Sequence, residues 1–206
     1  IWDLPDDTQL LGLVPNMRGL ERAKKCGAKA LALFTSACEI FNQRNIGMSI
    51  EDSLQSFASM IEQSHGNFHR GYLAMAFGSP LSQVKKIVEV AESVAEQVPV
   101  EKIALHLHDT RGMAIANATA GLSVGITKFD GSVGGLGGCP FAPGATGNVA
   151  TEELLYAFAD RPNSATVSLD EHFKAVALLD GKYRNQLPSK LWQAQKKRQH
   201  SSHGDR

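Results

Sequence analysis

The sequence predicts an α/β fold in which short parallel strands alternate with helices. Two observations support this class. Apolar, β-rich runs alternate five times with runs of helical period along the first 160 residues. The strand runs are short and mostly apolar, as expected when helices cover both faces of a parallel sheet or surround a barrel. Five successive βα units lie awkwardly between an open sheet and a barrel, because a closed barrel of this kind has eight.

The expected elements follow one another in a regular order. Strands are expected at residues 10–15, 30–35, 70–77, 103–108 and 126–132. Helices are expected at residues 17–26, 49–63, 81–97, 111–125 and 149–159. Ser49 is positioned to cap the second helix, and the stretch before it is interpreted as a loop. Two further helical runs and a polar end follow, so we expect an α/β domain over 1–160 and a C-terminal helical segment with a polar tail over 161–206.

Composition and charge exclude several classes of function. The 206 residues carry 21 basic and 21 acidic side chains, so no surplus of positive charge draws the chain to nucleic acid or to an anionic membrane. No apolar run approaches the roughly 20 residues that cross a bilayer. Three scattered cysteines are too few for a disulfide framework, and the first residues lack the basic segment of a signal peptide. We expect a reduced, cytoplasmic protein.

The fourth predicted strand ends in His106-Leu107-His108-Asp109. Because side chains alternate along a strand, His106 and His108 share one face with Ala104, and the apolar residues between them take the other face. The carboxyl ends of strands are where α/β folds bind ligands. Two imidazoles about 7 Å apart on one strand face can occupy adjacent positions around a divalent metal ion. The alternative is a pair of partly exposed histidines at a strand end.

Residues 129–153 form a glycine-rich segment that contains seven of the 19 glycines. Glycine and proline at this density favour a loop that approaches a ligand closely or closes over it. Cys139 lies inside this loop, where an accessible thiol can act as an acid, a base or a nucleophile; the alternative is a flexible connection with an incidental small residue. Asn148 is a natural N-cap for a helix that starts at Val149, which we favour on composition, and its amide oxygen is alternatively a metal ligand.

The remaining histidines and glycines do not form a recognisable catalytic or binding motif. No predicted strand is followed by the glycine pattern of a nucleotide-phosphate loop. His172, His200 and His203 lie in the C-terminal part of the chain, where we interpret a histidine-bearing end as disordered and not as a set of metal ligands.

One long stretch of the sequence resembles a known enzyme family. The residues HLHDTRGMAIANATAGLSVGITKFDGSVGGLGGCPFAPGATGNVATEELLYAF resemble the carboxyl half of 3-hydroxy-3-methylglutaryl-CoA lyase, and GGCPFAPGATGN within them is highly specific. LVPNMRG, SACEIFNQRNI and RGYLAMAFGSP are also similar to this family, so the resemblance covers about residues 10–160. It implies a (β/α)₈ TIM barrel, of which this chain contains about five units in a partial lyase domain. The implied reaction cleaves 3-hydroxy-3-methylglutaryl-CoA to acetyl-CoA and acetoacetate, as in leucine degradation and ketone-body formation.

The resemblance also implies the residues of the site. The ligands of a divalent ion, Mg²⁺ or Mn²⁺, correspond to His106, His108 and Asn148. The catalytic cysteine of the loop corresponds to Cys139. Positions near the site or around its ligands correspond to Asn16, Asp109 and Glu152. The implied substrate is an acyl-CoA, and assembly into a homo-oligomer is left as an open possibility. A eukaryotic form would lie in the mitochondrial matrix after loss of its transit peptide.

The chain departs from the family in three places. Nothing before LVPN matches the family's first strand with its Arg-Asp pair, the next unit with its glutamate is absent, and a unit with a Gly-Asp-Thr motif is missing before the strand at 103–108. Without that aspartate the metal ion lacks an anionic protein ligand, so we expect little lyase activity unless another chain supplies the missing units. The alternatives are a catalytically inactive homologue and a related aldolase or acyl-CoA condensing enzyme, and GGCPFAPGATGN argues against the latter.

Overall fold

The computed structural model of the chain describes residues 10–64, 68–76, 84–96, 98–138, 146–161, 167–183 and 186–201. By its internal contacts the chain divides into two compact units, Ile1–Ser79 and Pro80–Arg206. Every pair of strands within the described residues is parallel, as the alternating sequence pattern predicts. The architecture of each unit is therefore α/β.

The first unit is a three-stranded sheet with helices. Its strands, in the order in which they lie in the sheet, are β1 (Leu11–Leu13), β2 (Ala30–Ser36) and β3 (Phe68–Ala74). Its helices are α1 (Met17–Lys25), α2 (Glu39–Ile46) and α3 (Ile50–Gln63). The central strand β2 is buried along nearly its whole length, which explains its continuous apolar sequence. The core cluster consists of Val14, Leu20, Leu31, Leu33 and Met60.

Short polar side chains fix the first turns of two helices in this unit. Ser49 caps α3 as predicted, because its Oγ accepts a hydrogen bond from the Asp52 N–H at 3.0 Å. Asn16 caps α1 in the same way, with its Oδ1 accepting from the Gly19 N–H at 3.0 Å. Both caps satisfy backbone donors that a helix leaves unpaired at its start.

The prediction of a loop between β2 and Ser49 is wrong, because α2 occupies most of that stretch. This helix ends at Gly47, whose φ of 69° is the left-handed conformation that glycine permits. The buried side chain of Asn42 donates through Nδ2 to the carbonyls of Met48 and Ser49, at 3.2 and 3.1 Å. Hydrogen bonds to the residues just beyond its end and a glycine cap thus support α2, and neither leaves the periodic apolar signal from which a helix is predicted.

The second unit contains the strands β4 (Ala104–His106) and β5 (Lys128–Asp130), which pair in parallel with His106 opposite Asp130. Its helices are α4 (Val84–Ala95), α5 (Ala114–Ser123), α6 (Thr151–Ala157), α7 (Leu169–Lys182) and α8 (Lys190–Ser201). Both strands are shorter than predicted. The reason is that the chain beyond each strand leaves the parallel ladder and bonds to residues 147–151 instead.

The two C-terminal helices pack in this unit around a cluster formed by Phe173, Val176, Leu187 and Trp192. Asp180 joins α7 to α8, because its Oδ2 accepts from Trp192 Nε1–H and lies against Lys196 Nζ, both at 2.8 Å. Burial alone would raise the pKa of the Asp180 carboxyl, but the hydrogen bonds from Lys196 and Trp192 outweigh it and hold that pKa below its usual value. The domain boundary at residue 160 stays a prediction. No helix of the described residues is long and apolar enough to cross a bilayer.

Candidate active site

Two histidines lie at the carboxyl end of β4 with their rings close together. The ring centroids of His106 and His108 are 5.4 Å apart, with the planes inclined at 65°. Side chains continue to alternate between the two faces beyond the last residue of β4, so Leu105 and Leu107 are buried on the face opposite the histidines. The two leucines thus anchor this segment in the core and leave both imidazoles on the accessible face.

Asn148 lies directly across the backbone from His108, and the two residues form an antiparallel bridge. The residues on either side of them are joined by hydrogen bonds of 2.8 and 2.9 Å. Because these bonds join the neighbours, His108 and Asn148 themselves form a pair of the non-hydrogen-bonded kind, in which opposite side chains lie closest. The side chains of His106, His108 and Asn148 therefore converge on one face.

The side-chain amide of Asn148 is oriented by the glycine-rich segment. Its Nδ2 donates to the Leu136 carbonyl at 3.0 Å, and no described residue donates to its Oδ1. The interpretation of Asn148 as a helix N-cap is wrong, because Ala150 occupies the N-cap position of α6 and no side chain caps that helix. The physical reason is that Val149 is held in an extended backbone by hydrogen bonds on both of its sides, so the helix cannot start there.

The two imidazoles have different electrostatic surroundings. The pKa of His108 is lowered, first because its surroundings partly withdraw the ring from water and then because the charge of His106 lies beside it. Asp130, which is opposite His106 on β5, places its Oδ2 3.9 Å from His106 Nδ1. A carboxylate on that side favours the tautomer that carries its proton on Nδ1 and its lone pair on Nε2. The lowered pKa of His108 favours its neutral ring, the form that binds metals.

Sequence analysis missed Asp130, although a signal for it existed. An acidic residue that ends one parallel strand must lie at the same sheet edge as the residue that ends the neighbouring strand. Asp130 ends β5 as His106 ends β4, so the pairing of these strands brings them together.

Asp109 organises the backbone that follows the histidines. Its Oδ1 accepts a hydrogen bond from the Ala114 N–H at 2.9 Å, at the start of α5. Its Oδ2 lies 3.4 Å from the Lys190 ammonium, and its backbone carbonyl accepts from the Thr146 hydroxyl at 2.6 Å. Asp109 thus connects the histidine segment to α5, to α8 and to the end of the glycine-rich segment.

Glu152 is fully buried in the first turn of α6. Its Oε2 accepts from the Gly134 N–H at 3.1 Å and lies 3.1 Å from His172 Nε2. The interpretation of His172 as part of a disordered end is wrong, because it lies in α7 and its side chain is only 9% exposed. A buried carboxylate requires hydrogen-bond donors, and α7 places His172 where it supplies one.

Asn16 and Cys139 are the remaining predicted site residues. Asn16 lies in the first unit, where it caps α1, and Cys139 lies outside the described residues. Within the described part of the chain, no three His, Cys, Asp or Glu side chains lie close enough together to hold a metal ion. The candidate donors are instead two imidazoles and one amide oxygen. Such a set fits a divalent ion that completes its coordination shell with water or substrate oxygens.

Comparison with known proteins identifies one family. The profile of the family described as HMGL-like matches residues 80–179. Hydroxymethylglutaryl-CoA lyase YngG of Bacillus subtilis is 34% identical over 212 residues, which cover 86% of this chain and 71% of that protein. The 3-hydroxy-3-isohexenylglutaryl-CoA/hydroxymethylglutaryl-CoA lyase of Pseudomonas aeruginosa is 40% identical over 178 residues, which cover 70% of this chain and 59% of that protein.

A solved structure agrees with these sequence relatives. The HMG-CoA lyase from Acinetobacter baumannii, in complex with coenzyme A and 3-methylmalate, is similar with a TM-score of 0.85 and 29% identity, over 93% of this chain and 73% of that chain. The chain spans between 59% and 71% of the length of the two curated relatives. The alignment with the B. subtilis lyase is about 35 positions longer than the part of this chain that it uses, which is roughly one βα unit.

The prediction of an internally shortened member of this family is therefore confirmed. The described residues contain five strands, matching the predicted number of βα units, against eight strands in a complete barrel. The chain belongs to the hydroxymethylglutaryl-CoA lyases, which are carbon–carbon lyases of the TIM-barrel superfamily.

Proposed function

We propose that this chain is a metal-dependent lyase that cleaves 3-hydroxy-3-methylglutaryl-CoA into acetyl-CoA and acetoacetate, a reaction of the type used in leucine degradation. The convergence of His106, His108 and Asn148 on one face, in a member of the lyase family, carries the proposal. The names of two relatives support a 3-hydroxyglutaryl-CoA substrate, and the coenzyme A in the related structure supports a thioester.

The three converging side chains would hold Mg²⁺ or Mn²⁺. His106 and His108 offer ring nitrogens, and Asn148 offers the Oδ1 atom that accepts no hydrogen bond from the described residues. The Leu136 carbonyl fixes which end of the amide is the oxygen, because it takes the hydrogen bond of Nδ2. When bound, the ion would lower the pKa of the substrate's tertiary hydroxyl and so favour the deprotonation that starts cleavage.

Cys139 would act on the other fragment of the substrate. Breaking the carbon–carbon bond leaves the enolate of a thioester, which must gain a proton before acetyl-CoA is released. A thiol in the glycine-rich segment is the acid that we assign to this step. The segment is held near both ends, since Gly134 donates its N–H to Glu152 and Thr146 donates its hydroxyl to the Asp109 carbonyl.

The donor set predicts slow turnover. The three proposed ligands are all neutral, so the ion lacks the anionic ligand that would raise its affinity for the site. The B. subtilis relative also carries about 35 residues more within the aligned region, roughly one of the βα units that this chain lacks. We therefore expect low activity from the isolated chain, and an inactive homologue is the limiting case of this expectation.

Product formation by the purified chain tests the proposal. The chain is incubated with 3-hydroxy-3-methylglutaryl-CoA in Mg²⁺, in Mn²⁺ or in EDTA, and acetyl-CoA and acetoacetate are quantified over long times. The isohexenyl substrate named for the P. aeruginosa relative is assayed in parallel. Cys139→Ala removes the proposed acid, and Cys26→Ala is the matched control because Cys26 is an exposed, free cysteine.

We expect the two products in equal amounts, formed only with metal by the unsubstituted chain and by Cys26→Ala, and at a strongly reduced rate by Cys139→Ala. Unchanged product formation by Cys139→Ala would contradict the assigned role of the thiol. No product from a folded, metal-loaded chain would identify an inactive homologue. Condensation of acetyl-CoA with a 2-oxo acid would instead identify a condensing enzyme.

A further inference from the structure

A histidine of α7 is buried against the carboxylate that holds the start of the glycine-rich segment. His172 Nε2 lies 3.1 Å from Glu152 Oε2, with the two side chains 9% and 0% exposed. The same oxygen accepts the Gly134 N–H at 3.1 Å. The other oxygen, Oε1, is buried and receives no hydrogen bond from the described residues. A buried carboxylate in such a place depends strongly on the few donors that it has.

Gly134 is the residue of the glycine-rich segment that the Glu152 carboxylate holds by a hydrogen bond. Gly134 and Gly135 have φ angles of 67° and 69°, so two successive residues adopt the left-handed conformation. Leu187 packs against the turn from another side, so closely that a Cβ added to Gly134 would lie 2.5 Å from the Leu187 Cδ1. The Ser189 N–H adds a hydrogen bond of 3.3 Å to the Gly134 carbonyl. Groups from α6 and from the segment before α8 thus hold this turn.

The same turn leads to the carbonyl that orients Asn148. Leu136 follows the two glycines, and its carbonyl accepts the hydrogen bond from Asn148 Nδ2 at 3.0 Å. The backbone fits closely around this amide, since a Cβ on Gly137 would lie 2.6 Å from Nδ2. A shift of the turn would therefore move the amide and, with it, the oxygen proposed as a metal ligand.

We propose that His172 is a positioning residue for Asn148. His172 holds Glu152, Glu152 holds the Gly134 N–H, and the turn from Gly134 to Leu136 sets the orientation of the Asn148 amide. His172 acts only through these groups and contacts neither metal nor substrate. The inference rests on the proposed function where it takes Asn148 as a ligand, whereas the link from His172 to Gly134 rests on the contacts alone. It gives α7 a role in the site beyond packing.

Two substitutions separate the hydrogen-bond donor of His172 from its bulk. His172→Gln keeps an N–H group that can reach Glu152, and His172→Leu keeps an apolar side chain of similar size without a donor. The affinity of the full chain for Mn²⁺ is measured by electron paramagnetic resonance of the unbound ion. We expect His172→Leu to lose about tenfold in affinity, at the lower end of the range for groups that orient metal ligands. His172→Gln should retain most of the affinity.

Val176→Ala is the matched control for packing. Val176 lies one turn further along α7, is fully buried and belongs to the core cluster of the C-terminal helices. Its substitution loosens the packing of α7 and leaves the donor of His172 in place. An equal loss of Mn²⁺ affinity in Val176→Ala and His172→Leu, both assayed well below their melting temperatures, would show a purely structural effect and overturn the proposal.

Hydrogen exchange of the Gly134 amide tests the link without metal. We expect this amide to exchange at least about tenfold faster in His172→Leu, because the acceptor that protects it has lost its own partner. His172→Gln and Val176→Ala should exchange at the rate of the unsubstituted chain. Unchanged exchange in His172→Leu contradicts the inference whatever the metal result. Faster exchange in a chain that binds no Mn²⁺ would keep the link to Gly134 but reject the action on a metal ligand, so the two failures are distinguishable.

Discussion

His108 and Asn148 face each other across two antiparallel backbone segments, although neither residue belongs to a regular strand. One segment continues β4, and the other is the last part of the glycine-rich segment and leads into α6. The hydrogen bonds that join these segments lie on either side of the pair and fix its register. The candidate ligands therefore meet where the chain leaves the parallel sheet, and an antiparallel contact of a few residues places them.

The turn at Gly134 should tolerate no side chain. Gly134→Ala places a Cβ in the left-handed conformation and against Leu187, so we expect it to lower the free energy of unfolding by at least about 1–3 kcal/mol. Gly181→Ala is the matched control, because Gly181 lies within α7 with no atom within 4 Å of the added Cβ. That variant should be stabilised by about 0.5 kcal/mol. Urea unfolding measures both, and equal stability of the two variants would contradict the close packing of the turn.

The cap at Asn16 makes a separate prediction for the first unit. Asn16→Ala removes the acceptor of the Gly19 N–H, so we expect a loss of about 1 kcal/mol in the free energy of unfolding. Asn16→Asp keeps an oxygen in that place and should be close to the unsubstituted chain. Thermal and urea unfolding of the full chain provide the comparison. If Asn16→Asp is as unstable as Asn16→Ala, the side chain stabilises the protein by something other than capping.

Asp180 should make the stability of the second unit depend on acid pH. Its folded pKa lies below the unfolded value, so the ionised carboxyl contributes stability above about pH 4, and that contribution is lost as the pH falls through the folded pKa. Asp180→Asn should be less stable by about 1–3 kcal/mol at pH 7, because it loses a charge that accepts two hydrogen bonds.

Unfolding curves between pH 2.5 and 7 check this dependence. The difference between the unsubstituted chain and Asp180→Asn should narrow below about pH 4. Glu171→Gln is the control, because Glu171 forms an exposed pair with Lys174 that should contribute little. A difference for Asp180→Asn that stays constant down to pH 2.5 would show that the charge of Asp180 is not what stabilises the contact between α7 and α8.

The predictable parts of the fold are those with local, periodic signals. The buried strand β2 and the capped helix α3 follow from an apolar run and from Ser49, and both appear close to their expected positions. Helix α2 carries no apolar stripe, and the hydrogen bonds of Asn42 that support it involve residues beyond its end. Such contacts leave no periodic apolar pattern in the sequence, so the sequence does not predict this helix.

The candidate site likewise contains residues whose position the sequence predicts and residues whose position it does not. Strand alternation is enough to put His106 and His108 on one face. The position of Asn148 depends on an antiparallel contact with a distant segment, so composition alone favoured the wrong role for it. The burial of His172 leaves no local signal, because its partner Glu152 lies 20 residues earlier in the sequence and only the packing of α7 on α6 buries the two together.

The binding of a divalent ion tests the central claim most directly. Calorimetric titration of the full chain with Mn²⁺ should give one site per chain, weakened more than about tenfold in His106→Gln, His108→Gln and Asn148→Ala. His69→Gln is the matched control, because His69 lies in the first unit and bonds to Ser64. It should bind as the unsubstituted chain does. No binding by the folded chain, or equal affinity in all four variants, would contradict the proposed site.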